Sequence, residues 1–383
     1  KSFNYFDGMW AVAIYDNEKN DVILSRDYVG QKPLFYSKTE HYYIFSSQLN
    51  GIIVDKNVKI NLSNENIKKY FGYSHVPAPK TIFDNIFQIE PGENLVINSK
   101  NLNQKKNKYW DLSNGPDHNF FFEKTKKENF NSNFESIISE HSISDIDPTI
   151  SLSGGIDSYL VMTYLQKIKR HFTSFTLGFE NKTYDESHYV KKIRNNKKQE
   201  IFTTNDENLK SSFVELSKLI NEPIGDSSIL PTYIIHSKIK KKSNVTIGGD
   251  GGDESFFGYI TFDAFYLSLK IKKIIPNFIL KIFSMINPLK NNSYNYLSFT
   301  SKIRKFLSYI SLNQKFLLPS WMGCLNSKDM SELFQHTVSP ETLYKDLNKL
   351  FLPGVNPMRA CQLYHFKYYL PMILTKVDQA SMF

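Results

Sequence analysis

The chain has 383 residues, 47 Lys and Arg against 38 Asp and Glu, a formal net charge of +9, and 41% hydrophobic and 22% charged residues. That length predicts two or three domains, and the composition excludes a disordered, collagen-like or disulfide-stapled chain. Two cysteines, Cys324 and Cys361, and nine histidines with no pair at helical ligand spacing exclude a Cys-rich zinc module and a His-x-x-x-His site.

The first 110 residues read as short β-type runs. Residues 9–15, 21–26 and 42–46 are rich in Val, Ile, Tyr and Phe and are bounded by Asp, Asn and Lys, as strands of an antiparallel sheet are. Residues 94–98 form another, after the turn signal Pro91-Gly92. Residues 102–119 are polar and contain Gly115-Pro116, which sets the expected domain boundary at 115/116. Tyr109-Trp110 is expected to anchor that junction by burial.

Beyond the boundary, strands and helices alternate. Residues 148–152 are a buried strand; Ile156, Leu160, Val161, Tyr164, Leu165 and Ile168 recur at helical spacing. Residues 172–179, 199–204 and 244–247 read as strands, and residues 185–197, 209–220 and 229–239 as helices. This alternation predicts βαβ units and a parallel sheet covered on both faces. Residues 255–383 are mostly helical. There, Phe256, Phe257, Tyr259, Phe262, Phe265 and Tyr266 read as core, and the two cysteines as small core residues.

The cysteine usage suits a reducing compartment. The longest apolar stretch, residues 266–289, is broken by Lys270, Lys272, Lys273, Pro276 and Lys281, so no spanning helix is expected. No signal-peptide pattern is present. The lysines are spread along the chain, and the densest run, Lys238 with Lys240 to Lys242, reads as the cationic end of a helix. Neither a nucleic acid nor a membrane is therefore expected as a partner. The opening at Lys1 and the ending Ser381-Met382-Phe383 suggest a fragment cut at both ends.

Two segments carry chemistry. Ser153-Gly154-Gly155-Ile156-Asp157-Ser158 follows a buried strand and opens a helix. Its glycines allow close backbone approach, and the helix start offers amides to an anion. The lysine of a Walker A loop is missing, and Asp157 points instead to a metal beside a pyrophosphate. Gly248-Gly249-Asp250-Gly251-Gly252-Asp253-Glu254 also follows a short strand, and its carboxylates suit Mg²⁺. The plainer alternatives are a strand-to-helix turn and an acidic surface loop. In a parallel sheet both loops, and Thr176-Leu177-Gly178-Phe179, fall at carboxyl ends of strands, where ligands bind. The residues thus predict a nucleotide–Mg²⁺ site, with Asp157 and Asp253 bridging the metal to a leaving pyrophosphate.

Ser153 to Ser158 resembles the SGGxDS loop of the ATP-pyrophosphatase (PP-loop) superfamily. Within it, the chain resembles the glutamine-dependent asparagine synthetase family. Supporting runs are Thr176 to Glu180 with Tyr184-Asp185-Glu186, Glu222-Pro223 with Asp226-Ser227-Ser228, and Gly249 to Glu254 with Gly258-Tyr259. Others are Tyr369-Leu370-Pro371 with Lys376-Val377-Asp378, and, early in the chain, Phe6-Asp7-Gly8-Met9, Arg26-Asp27 and Lys32-Pro33-Leu34.

The resemblance implies an α/β protein. A truncated β-rich Ntn-type glutaminase domain (1–115) would precede a parallel-sheet PP-loop synthetase domain (116–383) with a helical C-terminal part. It implies that ATP adenylates aspartate, releasing pyrophosphate, and that ammonia, from glutamine in the full-length protein, displaces AMP to give asparagine. The implied ATP and pyrophosphate contacts are Leu152, Ser153, Gly154, Gly155, Asp157, Ser158, Leu177, Gly248 and Gly249. Asp157 and Asp253 are the implied Mg²⁺ ligands, and Asp250 takes the acidic position associated with adenylation. Asp226, Ser227, Glu254, Lys376 and Asp378 fall on the substrate side. The family is cytoplasmic and often dimeric, which admits a homodimer.

The family's N-terminal cysteine and a later catalytic lysine have no counterpart in these residues. Gly248 stands where a serine is usual, Ser255 and Phe257 where Leu and Gly are usual, and Gln379 where Arg is usual. These changes leave open a relative that amidates another carboxylate, such as a sugar acid, and a degenerate nucleotide-binding subunit.

Overall fold

The computed structural model describes residues 2–114, 124–193, 198–285 and 299–383. Its contacts divide the chain into two compact units: Lys1–Asn114 with Asn221–Gly225 and Glu254–Thr375, and Gly115–Ile220 with Asp226–Asp253 and Lys376–Phe383. The expected boundary at 115/116 lies outside the described residues.

The first unit begins with seven strands: β1 Ala11–Asp16, β2 Asp21–Arg26, β3 Phe35–Lys38, β4 Tyr43–Ser46, β5 Ile86–Gln88, β6 Glu93–Asn98 and β7 Gln104–Lys108. They form two antiparallel sheets, ordered β1-β2-β6-β7 and β4-β3-β5. Leu24, Leu34, Tyr36, Ile89, Leu95 and Ile97 make one core between strands. Strand β7 occupies part of the stretch read as a polar boundary. All five of its residues are exposed, and its lysines guard a sheet edge against further pairing. The Pro91-Gly92 turn is held by a close approach. A Cβ on Gly92, at φ +67°, would fall 2.4 Å from the Trp110 carbonyl oxygen. Tyr109 and Trp110 pack against Tyr28 at 5.6 Å each, inside this unit.

The same unit holds helices from Ile260 onward. Phe262, Phe265, Phe316, Trp321, Tyr344 and Tyr364 share a core with Tyr73 of the Asn64–Tyr73 helix. The aromatic run after the second glycine loop is therefore only partly core. Phe262 and Phe265, three residues apart, face inward, whereas Tyr266 is carried to the other side of that helix and Phe256, at the end of the separate Gly252–Phe256 helix, is exposed too. Cys361 is buried as expected. Cys324 is not: it is exposed, in the loop after the Gln314–Met322 helix.

The second unit is built on β8 Thr149–Ser151, β9 Thr173–Phe179, β10 Gln199–Thr204 and β11 Thr246–Ile247, in the order β10-β9-β8-β11 with every pair parallel. Register shows how both faces are covered. Ile150 pairs with Ser174, so it points away from the face of Phe175. On its side, Ile150 and Leu152 pack with Val161, Met162 and Leu165 of the Ile156–Lys167 helix. On the other, Phe175 packs with Ile235 and Ile239 of the Ile229–Ile239 helix. The helix expected over 185–197 is only Ser187–Val190. The Asp185 carboxylate instead accepts from the Phe179 and Ser187 amides and the Ser187 hydroxyl, which shapes a turn. Residues 194–197 lie outside the described residues.

Candidate active site

Parallel strands bring the ends of β8, β9 and β11 to one edge of the sheet. Leu152 continues β8: its amide donates to the Phe175 carbonyl and its carbonyl accepts from Thr176 Oγ1 at 2.8 Å. Its side chain is core, so only its backbone borders the edge. The chain then turns at Ser153-Gly154-Gly155 into the Ile156–Lys167 helix. Ser153 Oγ accepts from the Gly155 amide at 3.2 Å and lies 3.0 Å from Ser158 Oγ, and Ser158 Oγ lies 3.2 Å from the Ser153 and Gly155 carbonyls. These hydroxyls fix the loop. The helix starts at Gly155 without a side-chain cap, and uncapped first-turn amides are donors for an anion. A Cβ on Gly154 would meet Glu186 Cβ at 2.9 Å, so Glu186 closes one side of the loop.

The second loop lies directly on the first. A Cβ on Gly249 would fall 2.7 Å from the Ser158 nitrogen, and one on Gly252 would fall 2.5 Å from Asp157 Cγ. Neither distance is tolerable for a side chain. These two glycines let the Gly248–Asp253 backbone seat against Asp157, while Gly251 takes φ +93° to complete the turn.

Charge is concentrated where the loops meet. Burial raises the Asp157 carboxyl above its ordinary value, and the charges of Asp253 and Asp250 raise it further. Burial also raises Asp253. No cationic side chain among the described residues offsets either one. Asp250 is served differently. The buried Lys376 ammonium donates to Ser228 Oγ at 3.1 Å and lies 3.7 Å from Asp226 Oδ2 and 3.9 Å from Asp250 Oδ1. Asp226 Oδ1 in turn accepts from the Ser228 amide at 2.9 Å. A Cβ on Gly248 would fall 3.0 Å from Asp250 Oδ2. His236 lies near enough for the Asp250 charge to raise its pKa, against burial that lowers it.

The sequence-selected residues thus separate into three groups. Ser153, Gly154, Gly155, Asp157, Ser158, Gly249 and Asp253 converge at the loop junction. Gly248, Asp250, Asp226 and Lys376 form the second cluster, with Ser227 exposed beside it and Asp378 two residues along the Lys376 helix. Leu177 and Glu254 stand apart. Leu177 packs on the Phe175 face of the sheet. Glu254 is buried in the first unit, where Oε1 accepts from the Tyr259 hydroxyl at 2.8 Å. His236 was not singled out, because a lone histidine carries no spacing signal, and Glu186 entered only within the Tyr184-Asp185-Glu186 run, without a role of its own.

Among the described residues, no group of three or more His, Cys, Asp or Glu is arranged to hold a metal ion alone. Two uncompensated carboxylates beside a glycine turn at a helix start suit Mg²⁺, which takes one or two carboxylates and fills its octahedron with phosphate oxygens and water. Asp157 and Asp253 fit that ion.

Family models agree with this geometry. The model for asparagine synthase matches residues 129–383. The chain belongs to that family. The model for a glutamine amidotransferase domain matches residues 1–110. The chain is 32% identical over 296 residues to an asparagine synthetase (glutamine-hydrolyzing) 2, provisionally so named, of Methanocaldococcus jannaschii, covering 75% of this chain and 56% of the relative. It is 27% identical over 292 residues to asparagine synthetase (glutamine-hydrolyzing) 1 of Bacillus subtilis, covering 70% and 42%. The chain spans about half the length of these relatives. The β-rich start, parallel sheet and helical C-terminal part are those expected of a glutaminase-type region followed by an asparagine synthase domain.

Proposed function

We propose that the protein activates a carboxylate with ATP and amidates it, and that the carboxylate is the side chain of aspartate. The observation that carries this reading is the seating of the second glycine loop on Asp157, which gathers a phosphate-binding turn and three carboxylates at one sheet edge. An acceptor carboxylate oxygen attacks the α-phosphorus of ATP, the bond to the β-phosphate breaks, and pyrophosphate leaves. Ammonia then attacks the acyl carbon of the β-aspartyl-AMP, loses a proton, and AMP departs with the bonding electrons.

The Ser153–Ser158 turn binds the pyrophosphate end through helix-start amides and hydroxyls. Asp157 and Asp253 would hold Mg²⁺, which when bound would neutralise charge on the leaving group. Gly248 and Gly249 border the adenosine. Lys376 keeps Asp250 and Asp226 oriented on the acceptor side. In the longer protein, glutamine supplies the ammonia through the glutaminase-type region.

The test incubates the protein with Mg·ATP, aspartate and ammonium and follows pyrophosphate and asparagine. Aspartate-dependent release of both supports the reading. Release with a sugar acid but not with aspartate keeps the adenylation and moves the assignment to another acceptor. ATP binding with no release for any carboxylate leaves a degenerate nucleotide-binding subunit.

A further inference from the structure

The lysines run throughout the chain, but the acids do not. Residues 264–328 contain no Asp or Glu and ten Lys or Arg, against a net of +9 for the whole chain. Outside that segment, acids exceed bases by one. Seven of those ten lie on the helices Ile260–Ile274, Asn277–Met285 and Phe299–Tyr309 of the first unit.

Those helices also expose large apolar side chains. Leu267 and Ile274 are seven residues apart and share a face; Phe278, Ile282 and Met285 follow at helical spacing. Ile274 is 82% exposed, Phe278 65% and Met285 80%, while Leu280, on the opposite side of the same helix, is 2% exposed and faces the core. Phe299 and Ile303, four residues apart, are exposed on the third helix. The second helix meets the segment just after the third: Ser311 Oγ donates to Ser284 Oγ at 3.3 Å. Lys270, Lys273, Lys281 and Lys302 are exposed among these residues, and Lys270 lies 4.4 Å above the Tyr266 ring. Asp263, in the first turn of the first helix, is the one acid on these helices.

We propose that this face docks on an anionic lipid surface. Helix faces that combine Phe, Ile, Leu and Met with flanking lysines lie in the headgroup region, apolar groups in the acyl boundary and ammonium groups against lipid phosphates. No helix among the described residues is long and apolar enough to cross a membrane, so the contact is peripheral. Charge selects this occupant over a second copy of the chain, because two such cationic faces repel. The aliphatic Ile274, Ile282 and Met285 select it over a nucleic acid, whose phosphates and bases give them nothing to bury against.

The test is co-sedimentation of the full chain with vesicles of phosphatidylcholine alone and of phosphatidylcholine with phosphatidylglycerol, repeated with the protein at its natural length. Binding is expected only to the phosphatidylglycerol vesicles. Each of K270Q, K273Q and K281Q should weaken it by about 5-fold. The exposed triple variant F278S/I282S/M285S should weaken it by more than about 100-fold while circular dichroism stays that of the parent. The proposal is overturned by equal binding to both vesicles, by binding that the triple variant leaves intact, by tighter binding to a single-stranded oligonucleotide than to vesicles, or by loss of binding in the natural-length protein.

Discussion

Two charge centres, one in each unit, are built in opposite ways. In the antiparallel unit, Arg26 and Asp27 are almost wholly buried, yet both are richly partnered. The Arg26 guanidinium donates to the carbonyls of Lys32, Ile89 and Gly30 at 2.7–2.8 Å. The Asp27 carboxylate accepts from the amides of Trp10, Val29, Gln31 and Lys32. In the parallel unit, Asp157 and Asp253 are only half-buried but repel each other, and both carboxyls are raised. A satisfied buried charge fixes a fold; an uncompensated pair beside a glycine turn at a helix start is the arrangement the proposed Mg²⁺ site calls for. Lys376 stands between the two cases, since it balances Asp250 and Asp226 from within the chain.

The largest effect that could break this comparison is on activity. Asp253→Asn removes a proposed Mg²⁺ ligand and should lower pyrophosphate release on the order of 1,000-fold. The same change should raise the melting temperature of the metal-free protein. A carboxyl raised in the folded state binds its proton more tightly there than when unfolded. Stability is thus lost as pH rises from the unfolded value through the raised folded one, and it stays lower above. The asparagine does not ionise, so the rise in melting temperature should be present at pH 7 and vanish below the unfolded carboxyl pKa. Thermal melts across pH check the sign; a variant that is less stable at pH 7 would count against repulsion.

Arg26→Met should do the reverse. It strands three carbonyls, two of them buried, and should cost about 3–5 kcal/mol by denaturant unfolding. The affinity of the folded fraction for Mg·ATP should not change. Lys376→Met should fall between them, at about 1.5–3 kcal/mol of stability, because Asp226 and Asp250 lose a charged hydrogen-bonding centre. It should also lower kcat for pyrophosphate release more than it changes KM for ATP, and Lys376→Arg should recover part of the loss.

The two regions also differed in how far they could be read from sequence. In the parallel unit, the strands at 199–204 and 172–179 and the helices at 156–168 and 229–239 declared themselves, because a buried sheet with covering helices needs long apolar runs at fixed periods. The glycine loops showed through because close backbone contact leaves only glycine. In the antiparallel unit, β3, β5 and β7 did not stand out: β3 and β5 are four residues or fewer, and β7 is wholly polar at a sheet edge. By composition and spacing Lys376 is one of many lysines, and only the family resemblance of Lys376-Val377-Asp378 put it on the substrate side. Its partners, Ser228, Asp226 and Asp250, lie more than 120 residues earlier, a separation that periodicity does not carry. Glu254, next to Asp253 in sequence, leaves the loop for the other unit because its helix turns the carboxylate toward Tyr259.

The central claim is that the two glycine loops form one Mg²⁺-dependent nucleotide site. Calorimetric titration of ATP, with and without Mg²⁺, into the parent protein and into Gly252→Val tests it most directly. Branching at residue 252 would drive carbon into Asp157 Cγ, now 2.5 Å from that Cβ position. One saturable site that needs Mg²⁺ and is lost in the variant is the predicted result. Binding of equal affinity in the variant, or without Mg²⁺, would contradict it.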